Sequence, residues 1–80
     1  MGIKKNIQKL LSDPKDMRLE QVINIMRHFG YGLDRRKGSH YTFSRKDGKS
    51  MTFPSHNKKV KSYYLRQLKS DLAPYLLMEP

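Results

Sequence analysis

The 80-residue chain has no cysteine, so neither a disulfide framework nor a cysteine-based zinc site can support its fold. No apolar run approaches the roughly 18 residues of a membrane span, and the N-terminus lacks a signal-peptide core. A soluble, cytoplasmic protein with no membrane partner is the expectation. Carboxylates are few: the seven present are scattered, and the three histidines show no ligand spacing such as His-x3-His. Neither a metal nor a cofactor is expected. A nucleophilic triad would have no cysteine to use and no serine in a strand-turn-helix elbow, and phosphate-loop glycine patterns are missing. Repeats and low-complexity segments are absent as well. The length allows a single domain with a small core, read as an N-terminal extension over residues 1–15, a core over 16–73 and a tail over 74–80.

What the chain has in excess is positive charge. Seventeen Lys and Arg against the seven acids give +10. Residues 34–69 hold eleven of these bases and two acids, whereas residues 1–33 hold six and three. A basic field concentrated in one half is the footprint expected of a protein that binds a polyanion. A lysine-rich solvated surface would account for the charge too, but not for three bases, Arg35, Arg36 and Lys37, standing just before a histidine.

Apolar residues make up 36% of the chain, and they are patterned. Residues 3–11 read as a short helix with Ile7, Leu10 and Leu11 on one side, broken by Pro14. Asp16 is positioned to cap a second helix over residues 17–29, where Leu19, Val22, Ile23, Met26 and Phe29 form an apolar stripe. Gly30 supplies its left-handed stop, and His28 projects from the far side. The period then changes to two. Residues 31–37 and 40–45 read as strands, and Lys46-Asp47-Gly48-Lys49 as a hairpin turn. A third strand over residues 50–53 is ended by Pro54. Ser62 can cap a last helix with Leu65, Leu68 and Leu72 buried and Tyr64 at the edge, closed at Asp71-Leu72-Ala73-Pro74.

The fold class is therefore α+β, a helix, a three-stranded antiparallel meander and a helix, with a short helix in front. Two amphipathic helices need one sheet face to cover, and the aromatic face (Tyr41, Phe43, Met51, Phe53) should pack on them. His40, Thr42 and Ser44 then face water.

An imidazole, whose ordinary pKa is near 6.5, can exchange a proton at neutral pH. Cleaving RNA without a metal requires a base for the 2′-hydroxyl, an acid for the leaving oxygen and cations for the charge on phosphorus. His40 can fill one proton-transfer role, a contribution of roughly 100- to 10,000-fold. Arg35, Arg36 and Lys37 can hold phosphates, Gly38 lets a backbone approach closely, and the Ser39 hydroxyl can bond a phosphate oxygen. His56 can be the complementary acid, cap the last helix or contact phosphate. Lys58, Lys59 and Lys61 lead into that helix, where Ser62, Arg66 and Lys69 share a face, as at a phosphate-binding helix start. Composition alone leaves His40 readable as a surface histidine, and the lysines as a solvated face.

From residue 22 to residue 72 the chain resembles the small HicA-type mRNA interferase toxins of bacterial toxin–antitoxin pairs. The resemblance is carried, in order, by Phe29-Gly30-Tyr31, Lys37-Gly38-Ser39-His40, the Asp47-Gly48 hairpin and Phe53-Pro54. It continues through His56, Lys59-Val60-Lys61 and Leu65-Arg66-Gln67-Leu68. It implies a double-stranded-RNA-binding-domain-like α-β-β-β-α fold, ribonuclease activity on mRNA and a catalytic histidine at the position of His40. It also implies neutralisation by a HicB-type antitoxin. Residues 1–15 exceed what the shortest relatives need, and read either as a packing helix or as an interface with the partner. Two further readings stay open beside the toxin: an RNA-binding module that grips phosphates without cutting, and a protein whose basic face serves only an acidic partner.

Overall fold

The computed structural model describes residues 2–76. Helix α1 (Ile3–Leu11) is followed by strand β1 (Asp16–Arg18), helix α2 (Leu19–His28) and the strands β2 (Gly32–Lys37), β3 (His40–Ser44) and β4 (Ser50–Pro54). Strand β5 (Lys59–Lys61) then leads into helix α3 (Ser62–Leu76). The three middle strands form an antiparallel sheet of order β2-β3-β4, so α2 to α3 carries the α-β-β-β-α order that the sequence predicts. Phe43 and Phe53 stack at 5.3 Å on its inner side, in one core with Val22, Ile25 and Met26 of α2 and Leu65, Leu68 and Leu72 of α3. Burial of each such side chain contributes about 1.5–3 kcal/mol. Tyr41 and Met51 pack at the margin of this core. No helix among the described residues is long and apolar enough to cross a membrane.

The start of α2 departs from the sequence-based expectation. Residues Asp16, Met17 and Arg18 are not helical but pair antiparallel with β5, Asp16 opposite Lys61, Met17 opposite Val60 and Arg18 opposite Lys59. Met17 and Val60 are both fully buried, which fixes the register of this short ribbon. Asp16 therefore does not cap α2, and Lys59–Lys61, which leads into α3, is itself a strand. The cap comes from Gln21, whose side-chain oxygen accepts the backbone N–H of Arg18 at 3.1 Å. Ile25, outside the predicted stripe, is buried as deeply as Val22 and Met26.

Helix α2 ends as predicted, in a Schellman arrangement. Gly30, at φ +91°, donates its N–H to Arg27, and Tyr31 donates to Met26 at 2.8 Å. Helix α1 is a packing element: Asn6, Ile7 and Leu10 are buried and it lies against α2 and α3, although Leu11 is 44% exposed instead of facing the core. Pro14 follows Asp13 at φ +56°, and Asp13 pairs with Lys69 of α3 at 2.9 Å. Helix α3 does not close at Pro74 but continues to Leu76. Proline removes one backbone donor and crowds the preceding turn, yet Tyr75 and Leu76 pack on the core and hold the last turn in place. The rest of the predicted tail, residues 77–80, lies outside the described residues.

Candidate functional site

Each side chain of the candidate site is placed by the register of β2 and β3. These strands are joined by a two-residue loop, Gly38-Ser39, with Lys37 opposite His40 as its closing pair. Gly38 takes φ +59° and Ser39 a negative φ, the pattern of a type II′ turn. Space around Gly38 is open, so within the protein its glycine is required by the positive φ of the turn and not by a crowding neighbour. Directly opposed residues of an antiparallel pair share a face. Lys37 accordingly accompanies His40, and Arg35 accompanies Thr42, all on the side away from the helices. Thr42 shares a 2.9 Å hydroxyl–hydroxyl bond with Thr52 of β4, and Asp34, at a bulge in β2, accepts from Ser44 at 3.3 Å. His40 itself is exposed, opposite Pro54 of β4.

Arg36 faces the other way. It is opposite Tyr41, its guanidinium lies 5.0 Å from the centre of the Tyr41 ring, and its Nε donates to the carbonyl of Gly38 at 3.1 Å. The basic triplet that the sequence groups around His40 is thus divided between the two faces of the sheet. Tyr41 and Arg36 form one side of a groove of about 650 Å³, completed by Leu19, Glu20 and Ile23 of α2, with Arg18 before it and the turn Asn57-Lys58-Lys59.

That turn is shaped as tightly as the first. His56 and Lys59 exchange both backbone hydrogen bonds, at 3.0 and 2.9 Å, across Asn57 and Lys58. Both central residues have positive φ, +54° and +60°, as a type I′ turn requires. Asn57 tolerates this; a lysine rarely adopts it. The Lys58 carbonyl accepts the N–H of Leu19 at 2.8 Å, which ties the turn to the first residue of α2. Ser55 donates its N–H to the Ser39 carbonyl at 2.8 Å and so brings the two turns to the same end of the sheet. His56 is exposed there, two residues beyond the partner of His40. Lys59 and Lys61 project from β5 on the side opposite the buried Val60, and Arg66 is exposed on α3. Lys69 is held by Asp13.

Arg18, Glu20 and Tyr41 enter the site only through the structure. Arg18 and Glu20 appear in the sequence as ordinary surface charges, and Tyr41 as a core residue; only the β1–β5 ribbon brings all three beside the Asn57-Lys58 turn. Among the described residues no group of three His, Cys, Asp or Glu side chains gathers where it could hold a metal ion.

A family model described as the HicA toxin of bacterial toxin–antitoxin systems matches residues 19–78, which include α2, the whole sheet and both turns. No curated protein and no solved structure gives a significant match. The matched region holds every candidate site residue named above except Arg18, and by this match over most of its length the chain belongs to the HicA family of toxins, proteins that act with an antitoxin partner.

Proposed function

We propose that this toxin is an endoribonuclease that cleaves mRNA, with His40 as a general acid or base. The observation that carries the reading is the position of His40: exposed, closing a tight turn opposite Lys37, on a sheet face that also bears Arg35. A phosphate held by Lys37 and Arg35 lies within reach of an imidazole on the same face. In the reaction, the 2′-hydroxyl oxygen attacks the adjacent phosphorus while a base takes its proton. The bond to the 5′-oxygen breaks, and that oxygen receives a proton from an acid. His40 supplies one of these transfers, and His56, exposed at the same end of the sheet, is the candidate for the other. Lys58, Lys59, Lys61 and Arg66 extend the phosphate-binding surface, with the Ser39 hydroxyl as a neutral donor. A HicB-type antitoxin with an acidic surface, laid over the His40 face, would both associate rapidly with a +10 protein and exclude RNA.

Purified protein incubated with a defined RNA in the presence of a chelator tests this reading. Fragments ending in a cyclic phosphate are the expected result. Retention of intact RNA in a bound complex would replace the ribonuclease by a binding module of the same fold, and neither binding nor cutting would leave only an acidic protein partner.

A further inference from the structure

We infer that the groove between α2 and β3 is a subsite for one unstacked nucleobase of the RNA, and that Glu20 makes it selective for guanine. The inference rests on the RNA reading above and adds to it the origin of sequence preference. The groove lies on the face of the sheet opposite His40, but Tyr41, which lines it, is the next residue along β3. A strand passing around this end of the sheet can therefore place a phosphate at His40 and the base of a neighbouring nucleotide in the groove.

Three properties favour this occupant. The half-buried side chains of Leu19, Ile23 and Tyr41 form an apolar floor, suited to the flat face of a base and not to a phosphate. Around it stand the exposed cations Arg36, Lys58 and Lys59, placed for the flanking backbone. Arg36 is already fixed by Gly38 and the Tyr41 ring, and its terminal amino groups have no protein acceptor among the described residues. Within this basic rim lies one carboxylate, Glu20, 3.8 Å from Arg18. A carboxylate would only repel phosphate, but it can accept two parallel N–H bonds. Among the four bases, guanine alone offers two adjacent N–H donors on its Watson–Crick edge.

The test is titration of the protein, observed by NMR, with four uncleavable 2′-O-methyl RNA hexamers that differ only in a central base. Amide shifts at Ile23, Tyr41 and Lys58 and a guanine preference of about 5- to 100-fold are expected, the discrimination typical of a bidentate contact to a base. Glu20→Ala should weaken binding of the guanine hexamer, leave the other three bound at least as tightly, and collapse that ratio towards one. Shifts confined to the His40 face, a ratio that survives Glu20→Ala, or a hexaglutamate peptide binding the groove as tightly as the best RNA would each overturn the subsite. Cleavage of RNA with a silent groove sinks the subsite and spares the ribonuclease. Base-selective shifts in the groove without cleavage do the reverse.

Discussion

Arginine–tyrosine contacts stand at both ends of β3, and the same interaction serves different purposes at each. At one end Arg36 covers Tyr41 from the exposed strand β2, at the margin of a groove. At the other, Arg45 lies 4.7 Å from the ring centre of Tyr75 and 5.4 Å from that of Tyr31, with 17% of its side chain exposed and Asp47 3.6 Å away. Tyr31 is itself bonded to Asp71 of α3. Arg45 therefore joins the hairpin, the end of α2 and the last turn of α3. Cation–π attraction grows as water is removed, from roughly 0.5–1 kcal/mol at exposed sites to about 2 or more when desolvated. The buried contact is a staple, and the open one leaves a cation ready for a ligand.

The largest effect that could break this contrast is at the open end. His40→Ala should lower RNA cleavage by roughly 100- to 10,000-fold with Tm unchanged, because an exposed histidine removes little packing. A stably folded variant that still cuts at the parent rate would move the chemistry elsewhere. Next, the two arginines should exchange phenotypes. Arg45→Ala should lower Tm by about 8 °C or more and leave the RNA affinity of the remaining folded protein intact, whereas Arg36→Ala should cost no more than about 5 °C. Arg36→Ala should also flatten the log–log salt dependence of RNA binding by about 0.7. Equal Tm losses would remove the distinction between staple and ligand site.

Glycines sharpen the same comparison. Gly30, at the end of α2, and Gly38, in the first turn, both have positive φ, and alanine at either should cost about 1–2 kcal/mol in denaturant unfolding. Only Gly38→Ala should also slow cleavage, since it disturbs the Lys37–His40 pair.

The smallest effect is a pH dependence at the stapled end. Burial, with the hydrogen bond and the charge of Asp71 adding to it, pushes the Tyr31 phenol up to about 12. The neutral form is thus favoured by folding. Its contribution to stability is complete below the ordinary value near 10 and is lost as pH rises from there towards 12. The stability advantage of the parent over Tyr31→Phe should shrink across that window, and an advantage that stayed constant would show that the phenol does not titrate with folding.

Long periodic segments made most of the fold legible. The meander declared itself through the alternation of Tyr41, Phe43, Met51 and Phe53, and Asp47-Gly48 located its turn. The stripe of Leu65, Leu68 and Leu72 did the same for α3. The β1–β5 ribbon could not be read in this way, since Asp16-Met17-Arg18 and Lys59-Val60-Lys61 offer one apolar residue each and no period. Its evidence is purely tertiary: two buried side chains, Met17 and Val60, facing each other from distant parts of the chain. Pro74 misled for a related reason, since local chemistry opposed the last turn of α3 while Tyr75 and Leu76 found partners. In the site, the proximity of His40 to Lys37 followed from a two-residue turn. The opposite orientation of Arg36, and with it the groove, depended on strand register.

The ribbon also has a meaning for the time at which the molecule acquires its surface. Helix α2 and the meander can form from neighbouring stretches, but one wall of the groove is the Asn57-Lys58 turn, held against Leu19 by a bond that requires β5 to have found β1. Closing so long a loop is entropically slow and is repaid only when the late segment arrives. A chain still being synthesised, from which residues 59–61 have not emerged, has its histidine and its first turn but no groove. For a toxin whose neutralising partner must be at hand, the surface proposed to bind RNA is complete only once residues 59–61 have joined residues 16–18.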